Sequence, residues 1–393
     1  MIIGSAGSGK TAILLEKIKQ LEGQILYVTL SSFLVKNSRE LYYSEHYYNE
    51  NQLVDFYSYQ DFIESIAVPS QNIADIDYFM SWYKTNYKHK FSAHSIYEEF
   101  KGVLTGAMTD QAYLSEQDYL ALGVKQSIFH VDERADVYAI FKHYLHDLEK
   151  HNLADLNILS YAYLSKVKPS YDFVVIDEVQ DITAIQLYLI LNSLSQKGLF
   201  LMCGDANQIV HPNFFSWAKV KSLFHRHEEL HHGAEITHIL QHNYRNAQRI
   251  TEISNRVLLL KNSRFGSIDK ESHYLVQSNA EIQGGVYFLK NRPEILHELD
   301  KKTSVSTQFA VIVMHEEQKK MAQRVFKTPL VFAIQEAKGL EYQNIILYNF
   351  ISQSAPHFSE ICSDISVQDL QHDFSYARNK DKADKSLEIY KFY

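Results

Sequence analysis

The stretch Gly4–Thr11, GSAGSGKT, decides the fold of this chain. It matches the pattern G-x-x-x-x-G-K-[ST], a loop whose backbone N–H groups surround phosphate oxygens. Apolar residues precede the loop and the run AILLEKI follows it, so the loop joins a strand to a helix. That helix points the positive end of its dipole at the same anion. The predicted phosphate-binding residues are Gly4, Ser5, Ala6, Gly7, Ser8, Gly9, Lys10 and Thr11.

Two side chains of this loop have roles of their own. Lys10 is expected to reach the β- and γ-phosphates of a nucleoside triphosphate, and the Thr11 hydroxyl to hold Mg²⁺. ATP and Mg²⁺ are therefore the predicted cofactors. A glycine-rich turn with an incidental lysine would match the same pattern, but an independent set of motifs downstream argues against this alternative.

The composition limits the classes of protein to which the chain can belong. A length of 393 residues suggests about two or three domains, and 46% hydrophobic residues suffice to fill their cores. A net charge of −8 is not the overall basic footprint of a protein held to nucleic acid mainly by charge. Two cysteines suit a reducing compartment. Neither a long apolar run nor a signal segment is present, so no membrane is expected and the predicted location is cytoplasmic, or nuclear in a eukaryote.

Apolar strands alternate with helices along most of the chain, which predicts α/β units with parallel sheets. The first group of predicted strands covers residues 24–30, 54–57, 173–176 and 199–204. Asp177 and Glu178 directly follow one of them, at the edge of a parallel sheet where ligands bind. Between 67 and 132 the pattern is aromatic and helical, which indicates a helical insertion. A second α/β unit begins after 240, with predicted strands at 284–290, 309–314, 330–334 and 344–350.

Five motifs occur in a fixed order. After the loop come VVIDEVQD (174–181), CGDANQ (203–208), HNYR (242–245) and IQEAKGLEYQNIIL (334–347). Together they resemble the UvrD/Rep/PcrA-type superfamily 1 helicases. The resemblance implies two RecA-like P-loop NTPase domains, the first split into 1–66 and 133–240 around the insertion 67–132. The second covers 241–393 and is expected to be incomplete at its C-terminus.

Three parts of the family pattern are not found in the sequence. An adenine-recognising glutamine segment is expected before the loop, a final arginine motif after the tail, and a large helical subdomain in the second domain. Family members that lack this subdomain resemble the helicase-like modules of large multidomain proteins with tetratricopeptide or ankyrin repeats. A larger parent protein with further domains is therefore expected.

The resemblance assigns roles to residues of the second and third motifs. Asp177 would coordinate Mg²⁺ directly or through water, Glu178 would act as the general base towards water, and Gln208 would sense the γ-phosphate and the water. Asp205 is expected to anchor the loop that carries Gln208. An acidic cap between strand and helix is the alternative for the first pair, and a loop amide is the alternative for Gln208.

The later motifs imply the rest of the nucleotide site. Tyr244 would stack on adenine, and Arg245 would approach the γ-phosphate from across an interdomain cleft. A helix-capping role is the alternative for Arg245. Glu341 would hold the nucleotide sugar, while Lys338 and Gly339 would shape a loop near the nucleic-acid backbone.

Single-stranded DNA or RNA is the partner that the resemblance implies. Thr29, Ser31, Ser58 and Tyr59 occupy family positions at strand ends, where an exposed aromatic ring could stack on a base. The histidine-rich run HRHEELHH (225–232) is more typical of a solvated helix face than of a metal site, because no cysteine accompanies it.

Three functions remain open from the sequence. An ATP-dependent, nucleic-acid-stimulated helicase motor accounts for all five motifs. A nucleotide-dependent regulatory or scaffold module, with little or no unwinding, fits the acidic balance and the absent family parts. A small-molecule or nucleoside kinase shares only the phosphate loop.

Overall fold

The computed structural model describes residues 1–44, 47–87, 91–123, 126–205, 207, 215–227, 237–265, 274–337, 340–363 and 366. These residues fall into two units, the first ending at Gln283 and the second beginning at Gly284. The two units are thus divided after Gln283 and not after residue 240, as the sequence had predicted, since residues 241–283 belong with the first unit. The end of the predicted second domain, 367–393, lies outside the described residues.

The first unit contains ten strands and eleven helices among its described residues. Its strands are β1 (Ile2–Gly4), β2 (Gly23–Thr29), β3 (Gln52–Ser58), β4 (Asn72–Ile73), β5 (Leu153–Ala154), β6 (Phe173–Ile176), β7 (Phe200–Gly204), β8 (His238–Leu240), β9 (His242–Asn243) and β10 (Gln277–Ser278). Its helices are α1 (Lys10–Lys19), α2 (Ser32–Tyr43), α3 (Tyr59–Ile66), α4 (Ile76–Asn86), α5 (Ala93–Glu99), α6 (Glu116–Leu120), α7 (Arg134–Lys150), α8 (Leu156–Tyr163), α9 (Ala184–Leu191), α10 (Trp217–Arg226) and α11 (Gln248–Phe265).

Six strands form a parallel sheet in the order β3-β2-β6-β7-β1-β8. Alternate residues of each strand enter different cores, because side chains along a strand point to opposite faces. Leu26 and Val28 pack on the face covered by α3 and α9, while Ile25 and Tyr27 pack on the face covered by α1 and α2. Helices on both faces explain the continuous apolar strands of the sequence.

Five predicted strands of this sheet are confirmed, including the strand before the phosphate loop, and β8 was not predicted. β8 has only three residues, and it pairs with β1 at the edge of the sheet. Such a short, partly exposed segment has no hydrophobic pattern of its own, so its place follows from the pairing with β1. In the same region β9 pairs with β10.

A separate aromatic core fills the helical part of the first unit. It includes Phe79, Phe100, Phe141 and Tyr144, and extends to Leu148 near the end of α7. α7, which the sequence assigned to the first α/β unit, contributes to this core through residues such as Phe141 and Tyr144. No strand was predicted here, yet β4 pairs in parallel with β5 at the base of this part.

The second unit contains a parallel three-stranded sheet. Its strands are β11 (Phe309–Val313), β12 (Val331–Ala333) and β13 (Asn344–Leu347), in the order β12-β11-β13. Its helices are α12 (Pro293–Thr303), α13 (Lys319–Val325), α14 (Ile334–Ala337) and α15 (Ala355–Ile361). Val311, Val313 and Phe326 form the centre of its core.

One strand predicted for the second unit is wrong. Residues 284–290, GGVYFLK, form no strand, and Tyr287 and Phe288 are 83% and 90% exposed. The β-branched and aromatic side chains of this segment favour a strand only where a neighbouring strand supplies hydrogen bonds and packing. None of the helices in the described ranges is both long enough and apolar enough to cross a membrane.

Candidate functional site

The phosphate loop connects β1 to α1 and forms a closed cradle. Gly7 and Gly9 have φ angles of 79° and 84°, in the left-handed region that glycine adopts without steric cost. The buried Nζ of Lys10 donates hydrogen bonds to the carbonyl oxygens of Gly4 at 3.0 Å and Ser5 at 3.2 Å. These bonds hold the ammonium group inside the loop, where it can meet a phosphate anion.

Thr11 and Asp177 meet at the base of this cradle. The Thr11 hydroxyl donates to Oδ2 of Asp177 at 2.8 Å, and Asp177 follows β6 with no exposed surface. Burial raises the pKa of the Asp177 carboxyl and the charge of Glu178 raises it further, while hydrogen bonds from Cys203, Thr11 and Tyr27 lower it. A hydroxyl and a carboxylate oxygen side by side are ligands that Mg²⁺ prefers, so the residues present fit that ion.

Glu178 lies between Lys10 and a positioning amide. Its backbone has φ 51° and ψ 48°, a left-handed conformation that strains a non-glycine residue. Its Oε1 is 4.0 Å from Nζ of Lys10, and its Oε2 accepts a hydrogen bond from the Gln180 amide. Oε1 of Gln180 in turn accepts from the backbone N–H of Asp205 at 3.0 Å. The Glu178 carboxylate is 28% exposed, so water can reach it beside the fully buried Asp177.

A turn after β9 lies against the phosphate loop. The buried Asn243 donates from Nδ2 to the carbonyl of Ala6 at 2.6 Å and accepts from the Arg245 backbone N–H at 2.9 Å. Tyr244 donates its backbone N–H to the carbonyl of Gly7 at 2.9 Å. Arg245 was expected to approach from a second domain, but it belongs to the same unit as the loop. The reason is that β8, which precedes β9 and the turn, pairs with β1, directly before the loop.

Comparison with known proteins identifies the family. A model of the UvrD/REP helicase N-terminal domain matches residues 33–230, half of the chain. The chain belongs to the UvrD/REP helicase family. The matched segment includes the predicted residues Asp177, Glu178 and Gln208, whereas the phosphate loop, which ends at Thr11, is outside it.

Three curated proteins are similar to parts of this UvrD/REP helicase family member. The human TPR and ankyrin repeat-containing protein 1 is 24% identical over 66% of this chain, which spans 10% of that protein. A probable DNA helicase II homolog of Mycoplasma capricolum is 29% identical over 32% of the chain and 18% of its own length. The ATP-dependent DNA helicase srs2 of Schizosaccharomyces pombe is 28% identical over 34% of the chain and 15% of its own length. The chain thus spans less than a fifth of each relative.

The described structure does not test every residue that the resemblance to helicases implies. Gln208 lies outside the described residues, as do Lys338 and Gly339. Asp205 is described, and its Oδ1 accepts from the backbone N–H of Asn207 at 2.9 Å. Its role in anchoring the loop that carries Gln208 stays a prediction. Glu341 is exposed in the second unit, and its role stays a prediction.

The expected nucleic-acid contacts at strand ends are partly wrong. Tyr59 has no exposed surface and its hydroxyl is hydrogen-bonded to Ser160 at 2.7 Å, so its ring cannot stack on a base. Thr29 and Ser58 are also buried, and the Ser58 side chain caps α3. Ser31, which caps α2, is accessible to a strand of nucleic acid.

The histidine-rich run shows no metal site within the described ranges. No group of three or more His, Cys, Asp or Glu side chains is close enough there to hold a metal ion. His225 and His227 are described, while His231 and His232 are not. The preferred interpretation, a solvated helix face, stays a prediction.

Four residues at the site were not assigned roles from the sequence. Gln180 and Asn243 lie inside recognised motifs, between residues that did receive roles. Tyr27 and Cys203 lie on β2 and β7 and donate hydrogen bonds to Asp177 at 2.8 Å each. A tyrosine in a strand covered on both faces needs a hydrogen-bond partner, and that requirement is the signal in the sequence that could have indicated Tyr27.

Proposed function

We propose that the chain is an ATP-hydrolysing helicase motor core that acts on single-stranded nucleic acid. The observation that carries the proposal is the convergence of Lys10, Thr11, Asp177 and Glu178 on one edge of the sheet. Thr11 contacts Asp177 at 2.8 Å, and Lys10 lies 4.0 Å from Glu178. Triphosphate hydrolysis requires these groups: a cation for phosphate, two oxygen ligands for Mg²⁺, and a carboxylate towards water.

Each side chain of the site has its own role in hydrolysis. Thr11 and Asp177 would hold Mg²⁺, which would supply positive charge to the phosphates. Lys10 exchanges its bonds to loop carbonyls for bonds to phosphate oxygens. Glu178 accepts a proton from the attacking water, and its strained backbone and the amide of Gln180 fix its direction. Arg245, on the turn fixed against Gly7, supplies positive charge to the transferred phosphoryl group.

Nucleic acid would bind at the carboxyl end of β2, where α2 begins. Ser31 caps this helix, and Phe33 on its first turn is 68% exposed. An exposed aromatic ring offers a face on which a base can stack. The net charge of −8 makes such local contacts more important than long-range attraction.

Hydrolysis assays test the proposal directly. We expect ATP hydrolysis that single-stranded DNA or RNA stimulates and that Phe33→Ala makes less responsive. Glu178→Gln should lower the rate ~10²–10⁴-fold while nucleotide binding persists. Arg245→Ala should lower it ~10³–10⁵-fold. An unstimulated rate that Glu178→Gln does not change would overturn the proposal.

A second candidate is a nucleotide-dependent regulatory or scaffold module of a larger protein. The similarity to the human TPR and ankyrin repeat-containing protein 1 favours it, because that match covers 66% of this chain. In such a module ATP binding changes conformation without translocation. Thermal stabilisation by nucleotide, with no binding of single strands at low salt, would favour this candidate over the motor.

A further inference from the structure

The carboxylate of Asp177 receives as many hydrogen bonds as it can accept. Its Oδ1 accepts from the backbone N–H of Glu178 at 2.9 Å and from Sγ of Cys203 at 2.8 Å. Its Oδ2 accepts from the hydroxyls of Thr11 and Tyr27, both at 2.8 Å. An ionised carboxylate offers about four acceptor positions. All four are used, in a side chain with no exposed surface, so Mg²⁺ held here would take the place of the hydrogen bond from Thr11.

The register of the sheet brings two of these donors to Asp177. β6, which Asp177 follows, lies between β2 and β7. Val175 pairs with Tyr27 on one side, and Ile176 pairs with Met202, the residue before Cys203, on the other. Tyr27 and Cys203 share one face of the sheet because alternate residues point the same way. Each neighbouring strand therefore contributes one donor to the same carboxylate.

Tyr27 is itself oriented by a third residue. Its hydroxyl lies 2.9 Å from Oγ of Ser38 on α2, and Ser38 is fully buried. The single phenolic proton of Tyr27 is donated to Asp177, so the Ser38 hydroxyl donates to the phenolic oxygen. Burial and the charge of Asp177 raise the pKa of both Tyr27 and Cys203, which keeps both groups protonated as donors.

We propose that Tyr27 and Cys203 are positioning residues that fix the orientation of Asp177 for Mg²⁺. This inference rests on the proposed function. With both donors in place, rotation of the carboxylate would break hydrogen bonds on either side, so Oδ2 stays beside the Thr11 hydroxyl before the ion arrives. Partners behind a metal ligand commonly change metal affinity ~10–100-fold when removed.

The chain offers a matched control. Tyr171 is also buried in the first unit, and its hydroxyl donates to Oδ2 of Asp55 at 2.8 Å, the same distance as in the Tyr27 pair. Asp55 lies on β3 and contributes nothing to the phosphate loop. Tyr27→Phe and Tyr171→Phe each remove one hydroxyl from a tyrosine–aspartate pair, but only the first alters Asp177.

The experiment measures the affinity for a fluorescent ADP analogue with Mg²⁺ and with EDTA, together with the Mg²⁺ concentration that half-saturates hydrolysis. In Tyr27→Phe and Cys203→Ala we expect the gain in affinity from Mg²⁺ to fall and the half-saturating concentration to rise ~10-fold. Binding in EDTA should equal that of the unchanged chain. Cys203→Ser, which keeps a donor, should restore most of the gain, and Tyr171→Phe should behave like the unchanged chain.

The milder variant Ser38→Ala provides a second test in case Tyr27→Phe does not fold. It leaves the Tyr27–Asp177 bond in place but removes the group that orients it, so we expect a smaller change in the same direction. Equal Mg²⁺ dependence in Ser38→Ala, Cys203→Ala and the unchanged chain would overturn the positioning role. If the unchanged chain itself binds ADP no better with Mg²⁺, the proposed function fails, and that result is visible before any variant is compared.

Discussion

The backbone N–H of Tyr244 donates a hydrogen bond of 2.9 Å to the carbonyl of Gly7. This bond joins the turn that carries Arg245 to the loop that carries Lys10, within one unit of the chain. The position of Arg245 relative to the loop is therefore set by local hydrogen bonds and by the pairing of β8 with β1. Closure of a second domain is not needed to bring this arginine to the loop.

The close approach of this turn predicts a difference between two glycines of the loop. A methyl group added at Gly7 would lie 2.5 Å from Cβ of Arg245, whereas no atom of the described residues lies within 4 Å of one added at Gly9. Both positions have positive φ, so either alanine carries ~1–2 kcal/mol of backbone strain. We expect Gly7→Ala to lower the Tm more than Gly9→Ala, in thermal unfolding without nucleotide. Equal Tm values would show that the turn does not pack on the loop as described.

We expect the Asn243 side chain to hold this turn against the phosphate loop. Its side chain bonds to the carbonyl of Ala6 and to the backbone N–H groups of Arg245 and Asn246. Asn243→Ala removes these three hydrogen bonds, which we expect to cost ~1–3 kcal/mol of stability. Nucleotide affinity should fall as well, because the loop loses its support.

Asn255→Ala is the matched control for this change. Asn255 on α11 also bonds through its side chain to backbone, in this case the N–H and carbonyl of Val276. Denaturant unfolding should show a loss of stability in both variants, while ADP titration should show a weaker affinity only in Asn243→Ala. The same ADP affinity in both variants would show that Asn243 does not support the nucleotide site.

The sequence predicted the parts of the fold that depend on local pattern. The loop at Gly4–Thr11 and the strand before Asp177 were predicted in place, because glycine spacing and continuous apolar runs are local signals. Thr11 comes after β1 and Asp177 after β6, two parallel strands with β7 between them, and the sequence predicted these residues as a shared metal site.

Other features depend on pairing between distant segments, which no local pattern contains. The placement of Arg245 follows from β8, a three-residue strand whose partner is at the start of the chain. The burial of Tyr59 follows from packing of α3 against α8, where Ser160 receives its hydroxyl. The donors Tyr27 and Cys203 reach Asp177 through the strand order β2-β6-β7, which the sequence alone did not predict.

Gln180 should matter for the rate of hydrolysis more than for nucleotide binding. It connects Oε2 of Glu178 to the backbone N–H of Asp205 and so fixes the predicted general base. Gln180→Glu replaces the donor amide by a second carboxylate beside Glu178, and we expect kcat to fall at least ~10-fold with little change in KM. Steady-state ATP hydrolysis measures both constants. A change in KM alone would contradict the role in orienting Glu178.

The buried carboxyl of Glu99 predicts a pH dependence in the stability of the helical part. Glu99 is 1% exposed and accepts hydrogen bonds from the hydroxyls of Tyr119 and Ser127 and from the backbone N–H of Ile128. Burial raises the pKa of this carboxyl above its ordinary value of 4.5, although the hydrogen bonds and the charge of Arg134 oppose the shift. Glu99 therefore holds its proton in the folded state at pH values where the unfolded chain has released it.

The sign of the effect follows from proton binding. Above pH 4.5 the folded state binds more protons at Glu99 than the unfolded state, so stability falls as the pH rises towards the raised pKa. Each unit of upward shift costs about 1.4 kcal/mol once the group is ionised in both states. Glu99→Gln removes this titration, so the unchanged chain should lose stability relative to the variant over the pH range between 4.5 and the raised pKa of the folded state. Denaturant unfolding across that range measures the difference, with Glu40→Gln, a change at an exposed carboxyl on α2, as the control. A difference between the unchanged chain and Glu99→Gln that stays constant with pH would show that Glu99 is ionised in the fold as readily as in the unfolded chain.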